Sequence, residues 1–177
     1  MRTPPSILIA CVGNIFLGDD GFGVEVAARL AGRRFPEGVR VVDFGIRGID
    51  LAYAMLEGPD VTVLVDAMAR GNAPGTLVLL EADIDVVESS ESGALANAHA
   101  MDPATVLRLV HSLGGRPKRV LVVGCEPETL GLDDGGTMGL SEPVAAAVDE
   151  AVAMIESLVA TLMTEVHTPP ACGARST

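Results

Sequence analysis

Two carboxylates and one imidazole from three distant segments, Asp20, Asp66 and His99, are the residues best placed to do chemistry in this chain. Together they form a mixed oxygen and nitrogen donor set, which suits a divalent first-row metal such as nickel, iron, manganese or zinc. Three protein ligands leave coordination positions open for a substrate or a water. Asp20 falls in Gly13-Asn14-Ile15-Phe16-Leu17-Gly18-Asp19-Asp20-Gly21-Phe22-Gly23, a glycine-punctuated stretch that follows the apolar run beginning at Ile7. Asp66 ends a second apolar run, Val61 to Val65, where a carboxylate needs a partner. His99 lies three residues before Asp102-Pro103, an acid and a proline placed as the cap and first position of a helix.

Each of these residues also has an ordinary structural use. Asp19 and Asp20 could cap the helix that follows them, and a loop histidine is commonly just solvated. His111 and His167 receive no role. Cys11 and Cys125 sit in or beside central strands and read as small core residues, which leaves little room for a Cys–His nucleophile. The glycines alone would fit a phosphate loop, but the stretch has neither G-x-G-x-x-G nor a Walker lysine, and its two acids repel phosphate.

The elements that must bring the three residues together follow from the apolar pattern. Strands are predicted at Ser6 to Val12, Val39 to Phe44 and Val61 to Val65, separated by helices from Asp20 to Gly32 and from Ile49 to Leu56. Strand and helix in alternation build a parallel sheet covered on both faces. The pattern then breaks. Only about ten residues separate Asp66 from the run Thr76 to Leu80, too few for a parallel crossover, so that strand is predicted antiparallel. Residues 81–101 are polar and acidic and read as a long exposed loop. A helix from Pro103 stops at Gly114-Gly115, and a fifth strand spans Val120 to Val123. The last helix, Pro143 to Met163, carries Val144, Val148, Val152, Ile155, Val159 and Leu162 at spacings of three and four, an amphipathic stripe. The expected fold is a three-layer α/β/α domain over residues 1–163. Its five-stranded sheet is mostly parallel, with one antiparallel strand at about 76–80, and residues 164–177 form a polar tail.

Topology then gathers the polar groups. With strands one, two, three and five parallel, Asp20, Asp43, Asp66 and Glu126 all emerge at one carboxyl edge, where open α/β sheets bind ligands. The antiparallel strand carries the chain to the opposite edge. A right-handed crossover into strand five requires the helix at Pro103 to start back at the first edge. The long loop makes that return, at roughly 3.3 Å per extended residue, and so brings His99 toward Asp20 and Asp66.

Composition narrows the classes. The 177 residues are 49% hydrophobic with a formal charge of −12, which disfavours nucleic acid and anionic membrane as partners. No apolar run reaches the ~18 residues of a membrane-spanning helix, and the first residues lack the pattern of a signal peptide. Three cysteines, Cys11, Cys125 and Cys172, without C-x-x-C spacing, fit free thiols in a reducing, cytoplasmic setting.

The stretch Gly13-Asn14-x-x-x-Gly18-Asp19-Asp20-Gly21-x-Gly23 resembles the signature of the hydrogenase maturation proteases, endopeptidases that process the large subunit of [NiFe] hydrogenases. Four further stretches agree in order: Asp43-Phe44-Gly45-Ile46-Arg47-Gly48, Val65-Asp66-Ala67 followed by Pro74-Gly75-Thr76, Asn97-Ala98-His99, and Gly124-Cys125-Glu126-Pro127. The resemblance runs from about Ile7 to Leu162. It implies that Asp20, Asp66 and His99 contact a nickel ion carried by the substrate. It also implies that Asp43, Gly45, Arg47, Gly48 and Glu126 contribute to substrate binding. The family often has glutamate where Asp20 stands, and Phe44 replaces a glycine. The implied reaction is removal of a C-terminal extension from the large-subunit precursor after nickel insertion. Two other readings fit the same residues: a self-contained metallohydrolase, and a non-catalytic nickel-binding chaperone that only docks. The acidic loop, residues 82–98, is expected to order on binding the partner.

Overall fold

The computed structural model describes residues 4–85, 103–131, 136 and 138–165. Its strands are β1 (Ile7–Val12), β2 (Val39–Gly45), β3 (Val61–Ala67), β4 (Leu77–Glu81) and β5 (Val120–Cys125). The helices are α1 (Phe22–Leu30), α2 (Gly48–Leu56), α3 (Pro103–Ser112) and α4 (Glu142–Glu165), and a 3₁₀ turn spans Gly18–Gly21. The strands lie in the order β2-β1-β3-β5-β4, all parallel except β4, which runs antiparallel to β5. The three-layer α/β/α expectation and its single antiparallel strand both hold.

The central strands read as unbroken apolar runs because both sheet faces are covered. Ile7, Ile9 and Cys11 of β1 point into one core with α1 and α4, while Leu8, Ala10 and Val12 point into the other with α2 and α3. Val63 and Val65 share the first core and Leu64 the second, as the two-residue period of a strand requires. β2 carries a bulge: Cys11 faces Asp43 and Val12 faces Gly45. Phe44, skipped in the register, is buried in the second core.

Several boundaries differ from the pattern-based expectation. The first α-helix begins at Phe22, not Asp20; ahead of it the Asp19 N–H donates to the Thr129 carbonyl (3.1 Å) and the Asp20 N–H to the Leu17 carbonyl three residues back (3.2 Å). Residues Gly18–Gly21 are wound as a 3₁₀ turn, so the α-helical ladder starts only after them. β3 continues through Asp66 to Ala67, paired with Gly124 and Cys125 of β5. Asp66 thus projects from a strand and not from the loop beyond it. α4 runs past Met163 to Glu165, where the Thr164 hydroxyl bonds the Thr161 carbonyl (2.7 Å) and Glu165 meets Arg119 (3.0 Å). The expected cap Asp102 and the tail beyond residue 165 lie outside the described residues.

Two glycines set how closely the first motif packs. A Cβ on Gly23 would lie 2.1 Å from the Val12 carbonyl oxygen and 2.4 Å from that of Val65, so α1 can settle onto β1 and β3 only with glycine there. Gly13, at φ +143°, brings its backbone against Asp20, where a Cβ would sit 1.9 Å from the carbonyl oxygen.

Candidate active site

The carboxyl ends of β1, β2, β3 and β5 form one edge, and it carries the acids expected there. Asp20 sits in the 3₁₀ turn, which packs against β3. Its Oδ2 accepts the Asn14 N–H at 2.8 Å, and Asn14 Oδ1 accepts the Phe16 N–H at 3.0 Å, so the turn holds the carboxylate and is itself held. Burial pushes the Asp20 carboxyl above its ordinary value, and the Asn14 hydrogen bond opposes that rise.

Asp66 is only 6% exposed. It lines an open cavity of about 390 Å³ with Ala67, Met68, Ala69, Pro103 and Ala104. α3 therefore begins at the same edge as Asp66, as the crossover argument required. His99, the third expected ligand, lies outside the described residues. Among the described residues, no group of three or more His, Cys, Asp or Glu could hold a metal ion.

The other expected residues shape loops. Asp43 Oδ1 accepts the Gly45 N–H at 2.9 Å, and Arg47 Nε donates to the Phe44 carbonyl at 3.1 Å. Arg47 also donates to the Asp43 carbonyl and pairs with Asp50 at 3.6 Å. Gly48 opens α2. Glu126 is 6% exposed and turned inward, where the N–H groups of Arg70 and Gly71 donate to its carboxylate. Its own burial favours the neutral acid, but those backbone donors and Asn72 outweigh it and hold the carboxyl below its ordinary value.

Asp19 has a use that local pattern does not reveal. It caps no helix: it is completely buried, and its carboxylate accepts the N–H groups of Glu128 (2.8 Å), Thr129 (3.0 Å) and Ser141 (2.6 Å) and the Ser141 hydroxyl (2.9 Å). Its partners are 109 to 122 residues away in sequence, so only the folded chain identifies them.

Among the described residues, neither Cys11 nor Cys125 is a nucleophile, and Cys172 lies outside them. Cys11 and Cys125 are both fully buried. Burial, then Asp43, pushes the Cys11 thiol up to about 12, and burial, then Asp19 and Glu126, does the same at Cys125. A thiol held neutral and sealed from solvent cannot attack a peptide. The edge also carries two carboxylates on elements that pack together, Asp20 in the 3₁₀ turn and Asp66 of β3 at the open cavity. Such a pair can ligate a cation or accept a proton from water.

The family model for hydrogenase maturation proteases matches residues 24–158. The hydrogenase expression/formation protein HoxM of Azotobacter vinelandii is 37% identical over 151 residues, covering 85% of this chain and 70% of its own length. A putative hydrogenase maturation protease of Methanocaldococcus jannaschii is 34% identical over 150 residues, covering 84% of this chain and 93% of its own. Among solved structures, the hydrogenase maturating endopeptidase HybD from E. coli superposes with a TM-score of 0.70 at 28% identity, covering 88% of this chain and 93% of its own. The chain belongs to the hydrogenase maturation protease family. It is a hydrolase of the endopeptidase class. No helix among the described residues is long and apolar enough to cross a membrane.

Proposed function

We propose that this protein acts in the cytoplasm to remove the C-terminal extension from the large-subunit precursor of a [NiFe] hydrogenase, after nickel has been inserted into that precursor. The nickel belongs to the substrate. Asp20, Asp66 and His99 supply ligands to its open coordination positions, and a precursor without metal offers them nothing to hold. Specificity thus has a physical basis in the donor set, because two carboxylate oxygens and an imidazole nitrogen suit a first-row divalent ion.

One observation carries this reading. The turn bearing Asp20 packs on the strand bearing Asp66, and Asp66 shares its cavity with Pro103, four residues beyond His99. At roughly 3.6 Å per fully extended residue, four residues form a tether of about 14 Å, which supports placing the imidazole at this cavity. Substrate-borne nickel polarises the scissile carbonyl or the attacking water. Either carboxylate, when not bound to the ion, is a base for that water.

The test is intact-mass measurement after incubation with nickel-loaded and nickel-free precursor. The proposal expects loss of the extension only from the loaded form. A stable complex without a mass change would instead mark a docking module. Cleavage of small amides, with metal retained in the purified protein, would mark a self-contained metallohydrolase. His99→Ala is expected to abolish processing, and undiminished cleavage of the loaded precursor would remove His99 from the site.

A further inference from the structure

Glu126 stands where three segments meet. β3 and β4 flank β5 and do not pair with each other, so the chain between them must arch across the carboxyl end of β5. Glu126 is the first residue past that end. Its backbone fastens the far foot of the arch: its N–H donates to the Thr76 carbonyl (2.9 Å), and its carbonyl accepts the Gly75 N–H (2.8 Å). The near foot is tied by the Met68 N–H to the Cys125 carbonyl (2.8 Å). The Glu126 side chain holds the crown. Oε1 accepts the N–H groups of Arg70 (3.0 Å) and Gly71 (3.0 Å), and Oε2 accepts Arg70 N–H (2.9 Å) and Asn72 Nδ2 (3.3 Å). Successive backbone N–H groups curled around one carboxylate make an anion nest, here filled from within the chain. Both oxygens are engaged and the group is nearly sealed from solvent, so little acceptor capacity is left for a peptide. The arch itself is part of the cavity, because Met68 and Ala69 wall it beside Asp66 and Ala67.

We infer that Glu126 is a positioning residue: its carboxylate clamps the arch between β3 and β4 and so fixes the cavity wall next to Asp66, without contacting substrate. The inference rests on this cavity being where the precursor is processed. It separates Glu126 from Asp20 and Asp66, whose carboxylates lie in the edge turn and in the cavity wall. It also predicts which replacement works. A glutamine keeps one oxygen for the Arg70 and Gly71 N–H groups, and its amide nitrogen can donate to Asn72 once that amide turns its oxygen inward.

The test compares Glu126→Ala and Glu126→Gln in the full chain by two independent readouts. The first is NMR-resolved amide exchange. Glu126→Ala is expected to speed exchange of the Arg70 and Gly71 amides by about tenfold or more, while the Glu128 and Thr129 amides held by Asp19 keep their rates. The second is steady-state processing of nickel-loaded precursor. Glu126→Ala is expected to lower kcat by about tenfold or more with KM changed less than about threefold, because a displaced wall misplaces reacting atoms. Glu126→Gln is expected to restore both readouts to within about threefold. If Glu126→Ala does not fold, Glu126→Asp, one methylene too short to reach the nest, takes its place with the same expectations. Unchanged exchange at Arg70 and Gly71 would overturn the inference. So would a raised KM with kcat intact, which marks a substrate contact, or a glutamine variant that restores exchange but not turnover, which marks a chemical role for the charge. The exchange measurement needs no precursor. A wild-type protein that leaves the loaded precursor uncut defeats the proposed function, whereas unaltered exchange defeats the clamp.

Discussion

Asp19 is buried and its carboxylate accepts hydrogen bonds from Glu128, Thr129 and Ser141, more than a hundred positions away, whereas Asp20, its neighbour, accepts the Asn14 N–H and stays half-buried at the sheet edge. Although consecutive in the 3₁₀ turn, one acid is bound to distant loops while the other is held within its own turn by the Asn14 N–H. The same division recurs between Glu126, spent on its own loop, and Asp66, which lines the open cavity. An edge rich in acids is therefore not uniformly a reactive edge. Carboxylates satisfied by backbone N–H groups, such as Asp19 and Glu126, hold loops in place.

The largest effect expected from breaking this division is on turnover. Asp20→Ala should reduce precursor processing by about a hundredfold or more, the scale of losing a ligand or base, while unfolding midpoints do not fall. Retained processing in that variant would put Asp20 on the scaffold side with Asp19. Next in size, Asp19→Ala strands the N–H groups of Glu128, Thr129 and Ser141 and should cost about 3 kcal/mol or more in urea unfolding. A near-neutral result would mean that those donors find other acceptors. Gly23→Ala perturbs both acids together, since the new methyl would drive α1 away from the Val12 and Val65 carbonyls. Overpacking of this kind costs about 1–3 kcal/mol, read by thermal unfolding.

The smallest effect concerns charge alone. The folded Asp20 carboxyl lies above its ordinary value of 3.8 because burial disfavours the anion. A raised folded value means the folded state binds the proton more readily than the unfolded chain. The associated stability is present below the unfolded value and is lost as pH rises through the folded one. Asp20→Asn removes the anion, and its oxygen can still accept the Asn14 N–H. The variant should therefore unfold at a slightly higher temperature than wild type at pH 7, and the difference should shrink at pH values below 3.8. An unchanged difference at the two pH values would show that the anion bears no burial penalty.

The alternation of strands and helices was legible because each apolar run had the length and period of its element. Loop length alone, between Asp66 and Thr76, was enough to show that β4 must be antiparallel. The gathering of Asp20, Asp43, Asp66 and Glu126 on one edge followed from strand direction without any contact being known. Partners lying far along the chain were not legible. Nothing near Asp19 signals Glu128 or Ser141, and nothing near Glu126 signals Arg70, because those hydrogen bonds exist only once distant loops are packed together. The helix ends missed by a few residues for a local reason: Asp19 and Asp20 are wound into a 3₁₀ turn ahead of the α-helix, and at Thr164 and Glu165 the helix continues on polar residues after its apolar stripe has ended.

The place of β5 in the sheet has a consequence for how the molecule is made. β3 and β4 emerge from the ribosome first and cannot zip to each other, since the slot between them belongs to a strand some forty residues later in synthesis. Until residues 120–125 arrive, Asp66 lies on an unfilled sheet border, and Asp19 still awaits acceptor-hungry amides beyond it. The sheet edge that carries Asp66 and Glu126 is thus completed only when the last third of the chain inserts, after most of it is already translated.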